Sequence, residues 1–179
     1  MEIPESGYLF ALAQIAITFA GFTALFMMLR QAIGGKSTPY DLFATRNYLF
    51  LSFLIVFGGM LPSVLSAFHL TQQLVWRIAS LAVGVPLLVF LVSYPFRRRA
   101  VTGVRLPPSI WPQQIIFTTA VAVLFANAFG LFGEPVGPYM LGTTLILFDL
   151  FYAILLTLGM VFGAHPLGPD RHSKDRDKL

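Results

Sequence analysis

The chain has 179 residues, of which 56% are hydrophobic and 11% charged, against roughly 45–50% and 25% in an average soluble domain. Too few charges are present to coat a globule in water, and a mean hydropathy of +0.76 spread over several long apolar runs predicts an all-α, polytopic helical membrane protein. Cysteine is absent, which removes disulfides, thiolate metal ligands and cysteine nucleophiles. The net charge of +4 comes from basic residues in short loops beside apolar stretches, so it points to a membrane surface and away from nucleic acid.

Crossing a hydrocarbon core about 30 Å thick takes about 20 mainly apolar residues. Five stretches meet that length, at 7–29, 43–67, 74–94, 113–132 and 139–162. They predict one five-span transmembrane domain over residues 1–165. The tail, 166–179, mixes both charge signs without an apolar period and is expected to be disordered. The opening Met1-Glu2-Ile3-Pro4-Glu5 lacks the positive region of a signal peptide, so the first span is expected to be retained.

In the first span, a rotation of 100° per residue puts Tyr8, Ile15, Phe19, Phe22 and Phe26 on one side and Ala13, Ala16, Ala20, Gly21 and Ala24 on the other. Small residues let backbones approach closely, so that second face is expected to pack helix on helix and to support a homo-oligomer. Gln14 and Thr18 stand at its edge, as groups that either line a polar cavity or hydrogen-bond a neighbouring helix. The second span carries Gly58, Gly59 and Pro62 and the third carries Pro86. Each proline frees the carbonyl four residues earlier, so these positions are candidate hinges. Arg97, Arg98, Arg99 and Arg105 follow the third span and are expected to attract anionic lipid headgroups at about 1 kcal/mol per charge.

In the fourth span Asn127 aligns with Ala120 and Gln113 at heptad spacing, a face that should avoid lipid. The fifth holds Asp149, about ten residues in, or roughly 15 Å below its outer end. A charged Asp at that depth costs about 2.5–3.5 kcal/mol on insertion scales, so it should face protein or water. Gly142, Ile146 and Ala153 share its face, and Tyr152 lies one turn on. Asp149, Gln14, Thr18, Asn127, Tyr152 and Arg77 are the pathway candidates. If their faces converge they form an outward-opening pocket floored by Asp149, with Arg46, Asn47, Ser52, Thr118 and Thr119 as a weaker inner counterpart.

Cytoplasmic loops carry the excess of Lys and Arg. Five spans with the N-terminus outside and the C-terminus inside put eleven of the twelve basic residues in the cytoplasm, with Arg77 alone outside. Interface anchors are expected at Tyr8, Trp76 and Tyr139 outside and at Tyr40, Tyr48, Tyr94 and Trp111 inside. Phosphate-binding and hydrolase motifs are absent and His69, His165 and His172 are scattered, so neither an enzyme, a cofactor nor a metal is expected. The reading is a small homo-oligomeric channel or transporter for an ion or small solute with Asp149 in its path, in a bacterial inner membrane. The alternative is a non-conducting accessory or assembly subunit that uses its polar groups to hold a partner's helices.

Overall fold

The computed structural model describes residues 6–32, 39–103 and 110–163, the side chains of 30, 31 and 157–163 apart. Arg105, expected to meet lipid, and the tail 166–179 lie outside the described residues. Five helices account for nearly all of the described chain: α1 (Ser6–Ala32), α2 (Pro39–Ser66), α3 (Gln72–Thr102), α4 (Trp111–Ala128) and α5 (Val136–Gly163).

Their ends follow local chemistry. Pro39 opens α2, where a missing N–H costs nothing, and Asp41 in the first turn complements the helix dipole. Gly103, at φ 66°, ends α3 and returns its N–H to the Arg99 carbonyl. Past α4, Gly130 at φ 75° turns the chain. Gly130 donates to the carbonyl of Asn127 at 3.0 Å and Leu131 to that of Ala126 at 2.9 Å, the Schellman pattern that left-handed glycine permits.

Four helices, α1, α2, α3 and α5, contain stretches long and apolar enough to cross a membrane: Ser6–Leu29, Pro39–Ser66, Gln72–Thr102 and Val136–Leu156. The fourth predicted span is the exception. α4 has 18 residues and opens on Trp-Pro-Gln-Gln; at 1.5 Å per residue it is about 27 Å long, a little under the hydrocarbon thickness. α3 departs in the other direction, running past its expected end near residue 94 through the three arginines to Thr102.

Sequential helices pack side by side, α2 also meets α5, and α1 lies against α2 with a smaller contact on α5. Each helix starts near the end of the one before it: Asn127 late in α4 meets Ser80 early in α3, and Tyr48 early in α2 meets Ala153 late in α5. Directions therefore alternate. One end of the bundle carries Arg46, Arg97, Arg98 and Arg99 and is called the basic end below; Arg77 stands at the opposite end.

The core joins Leu9, Leu12 and Ala16 of α1 to Leu51 and Ile55 of α2, Trp76, Val83 and Leu87 of α3, Leu124 of α4 and Ile146 and Leu150 of α5. Trp76 and Tyr139 are both 0% exposed, with ring centroids 5.3 Å apart. Tyr94 is buried too. These three were expected to anchor the membrane interfaces and are core residues instead, because a neighbouring helix covers each. Large apolar side chains remain on the exterior, among them Ile17, Phe53, Phe57, Val89 and Phe148, a surface suited to lipid.

Two glycines set the closest approaches. A Cβ at Gly59 would stand 2.8 Å from the Leu9 carbonyl oxygen and 3.2 Å from the Ala13 methyl, so α1 crosses α2 there nearly backbone to backbone. One at Gly142 would overlap Leu124. On α1, Ala13, Ala16 and Ala20 are buried while Gly21 is exposed with nothing within 4 Å of its would-be Cβ. The small face of α1 is thus occupied inside the chain, Ala24 is half-buried at its border, and Gly21 lies off it. A second copy cannot use Ala13, Ala16 and Ala20 as its packing surface.

Candidate functional site

Asp149 is 0% exposed, on an α5 face that also buries Gly142, Ile146 and Ala153, as the helical spacing predicts. Its partner is Gln113, two residues into α4, whose Nε2 donates to Oδ2 at 3.4 Å. The other carboxyl oxygen, Oδ1, is buried without a hydrogen-bond partner among the described residues. A buried polar atom left unpaired costs about 1–3 kcal/mol, more when charged, so this half of the carboxyl group does not add to the stability of the fold.

The short α4 explains the geometry. Its first turn stands level with the middle of α5, and the space below that turn is a partly open cleft lined by Tyr40, Phe43, Asn47, Tyr48, Tyr94, Ile110, Gln113 and Ala153, among others. The cleft leaves about 30 Å³ for the centres of water molecules, room for about two. Gln113 both lines it and holds Asp149, so the amide bridges the cleft and the carboxyl group. Tyr48 donates its hydroxyl to the Ala153 carbonyl at 3.0 Å, clamping α2 to α5 across the cleft. Tyr94 lies in the electrostatic field of Asp149, Arg98, Arg97 and Tyr40.

This is a different arrangement from the outward-opening pocket that residue depths suggested. Gln14 and Thr18 are exposed on the outer side of α1, where the Thr18 hydroxyl bonds the Gln14 carbonyl at 2.8 Å. Asn127 is buried at the opposite end, its Nδ2 donating to Ser80 Oγ and to the Pro135 carbonyl, each at 2.8 Å. Arg77 lies against Gly130, where a Cβ would overlap its guanidinium. None of the four meets Asp149, and an Asp149–Arg77 ion pair is not formed. Tyr152 is half-buried one turn from Asp149. Of the inner group, Asn47 lines the cleft, Ser52 is buried, and Thr118 and Thr119 are exposed, bonded to carbonyls of their own helix.

The candidate hinges have packing roles. Pro62 removes the helical bond to the Gly58 carbonyl, and the Tyr139 hydroxyl donates to that oxygen at 2.6 Å. Gly58 itself faces Val83 and Tyr139. Pro86 lies within α3, which continues unbroken through it. Among the arginines, Arg98 is 8% exposed, Arg99 is exposed, and Arg97 places its guanidinium carbon 4.9 Å from the centre of the Phe90 ring.

Gln113 is the site residue the sequence under-read, although its heptad alignment with Asn127 put it on a protein-facing side, where a buried amide needs a partner. Among the described residues no three histidine or acidic side chains gather as a metal cage would require. Comparison with known protein families, with curated proteins and with solved structures finds no match to this chain. Fold and site therefore define the class alone: an all-helical protein with four membrane-length apolar helices and a buried carboxyl group beside a cleft at its basic end.

Proposed function

We propose that the protein is a small multi-pass membrane transporter or channel for an ion or small solute, in which Asp149 takes up and releases a proton or cation through the cleft at the basic end. The observation that carries this reading is the fully buried Asp149, with one oxygen unpartnered and the other held by a residue that lines the cleft. A carboxyl group placed at depth solely for structure would be expected to have both oxygens satisfied or a cation beside it. On this reading all five helices span a bacterial inner membrane, and the positive-inside rule supports a cytoplasmic basic end. The cleft beside Asp149 opens toward the basic end, and on this reading the rest of the path lies between copies in a homo-oligomer.

The test is flux through proteoliposomes. Asp149→Asn removes charge with little change of shape, so it is expected to leave expression and assembly intact while abolishing pH-dependent flux. Wild-type flux from the Asn variant, with no dependence on pH, would remove Asp149 from the path.

One observation favours a second reading, a non-conducting accessory subunit. Gln14 is exposed on α1 between the open positions Gly7 and Gly21, at seven-residue spacing. A polar side chain facing lipid between two open glycines suits a partner's helix. A purified protein that stays monomeric and passes no solute favours this reading over transport.

A further inference from the structure

Beside the cleft, α2 and α3 build a second feature that transport through Asp149 does not use. Phe50 of α2 stacks on Phe90 of α3, with centroids 5.3 Å apart and planes within 7°. Above that stack, toward the basic end, Arg97 covers Phe90, and its Nε is buried without a hydrogen-bond partner. Arg46, exposed one turn before Phe50, stands within Coulombic range of Arg97. Neither arginine has an ion pair among the described residues. Two like charges near one another at a low-dielectric surface repel, and an anion beside them offsets that repulsion. The cation–π contact holds the Arg97 guanidinium over the Phe90 ring, and its terminal N–H donors suit an anionic acceptor.

Away from the arginines the same strip is apolar. Phe50, Phe53 and Phe57 follow Arg46 along one face of α2 at helical spacing and are 40%, 59% and 51% exposed. A charged pair at the end of a helix, continuous with a strip of exposed rings along a membrane-length helix, matches an amphiphile with an anionic head.

We infer that Arg46 and Arg97, set over the Phe50–Phe90 stack, bind the phosphate of an anionic phospholipid whose acyl chain lies along the exposed phenylalanines of α2. Guanidinium groups suit this ligand because their forked donors match phosphate oxygens. The site is more selective than a diffuse basic loop. Arg98 is buried and engaged within the chain. Arg99 is exposed and two residues along α3 from Arg97, so it points away from that side of the helix, and Arg97 covers the Phe90 ring while Arg46 lies one turn from Phe50 on α2.

The test measures thermal unfolding of the purified protein in mild detergent with added phosphatidylglycerol, phosphatidylcholine or inorganic phosphate, and counts retained lipid by native mass spectrometry. Phosphatidylglycerol is expected to raise the midpoint by several degrees and to remain bound, phosphatidylcholine to do less, and inorganic phosphate to do nothing. Arg46→Gln changes an exposed side chain that the fold does not need, so it should fold normally and lose most of the shift and the bound lipid. Arg99→Gln should keep both. An undiminished shift in Arg46→Gln, an equal loss in Arg99→Gln, or stabilisation by inorganic phosphate matching that of the lipid would each overturn the site.

Discussion

Tyr139 shows how a single hydroxyl repairs a backbone defect. Pro62 leaves the Gly58 carbonyl without its helical donor, and Tyr139 supplies one from α5 at 2.6 Å while its ring packs on Trp76. Tyr139→Phe keeps the ring and strands a buried acceptor, so it should cost about 1–3 kcal/mol. In a Pro62→Ala background the helix regains its own N–H donor for Gly58, and the same substitution should cost much less. Thermal unfolding of the four proteins of this cycle measures the difference; equal costs in both backgrounds would mean the hydroxyl does not serve the freed carbonyl. The defect was legible in sequence, since a proline always frees the carbonyl four residues back. Its remedy was not, because a tyrosine near the end of an apolar run is equally suited to the lipid interface, and only the neighbouring helix decides.

At the scale of helices, two glycines separate close packing from open surface. Gly59→Ala places a methyl group 2.8 Å from the Leu9 carbonyl oxygen, a backbone atom that has no rotamer with which to retreat. It should force α1 away from α2 and destabilise the protein by about 1–3 kcal/mol. Gly21→Ala meets nothing within 4 Å and should leave the unfolding midpoint unchanged or slightly raised. Matching losses at both positions would reject this assignment of the α1 faces. Periodicity located Ala13, Ala16 and Ala20 on the buried face, reached only half-buried Ala24, and erred at Gly21, which lies on the rim, where small differences in rotation decide burial. Hydropathy likewise ended α3 near residue 94, because charge ends an apolar window. A helix ends where its backbone must turn, and here that is Gly103.

For the whole molecule, alternating helix directions put the first and last described residues at opposite ends of the bundle. If all five helices span with the basic end in the cytoplasm, a reporter fused after Leu179 is expected inside and a tag at Glu2 is expected to be reached from outside. Both ends on one side would require an even number of spans and remove α4 from the count. Five apolar runs made five helices foreseeable, and residue spacing foretold that Asp149 faces protein. Its meeting with Gln113 was not foreseeable, since it depends on how far α4 is offset along α5, a displacement set by the turn at Gly130 and by the short length of α4. Depth counted from span ends assumes that every helix starts at the same level, and that assumption placed Asp149 with Gln14, Thr18 and Asn127 when its partner lay at the other end.

The brevity of α4 reaches beyond the cleft it creates. One side of this helix is covered by α3 and α5, but Trp111 and Ile115 are 62% and 63% exposed, so its outer side borders the surrounding medium. If α4 spans a bilayer with the rest, lipids there meet a helix about 27 Å long, while those along α2 and α3 meet helices of about 42 and 46 Å whose basic-end turns carry charge. A membrane accommodates a short wall by thinning locally, at fractions of a kcal/mol per Å. The lipid collar would then be shallower beside α4 than on the far side, and that sector is where a neighbour with a similarly short wall would settle with least elastic distortion.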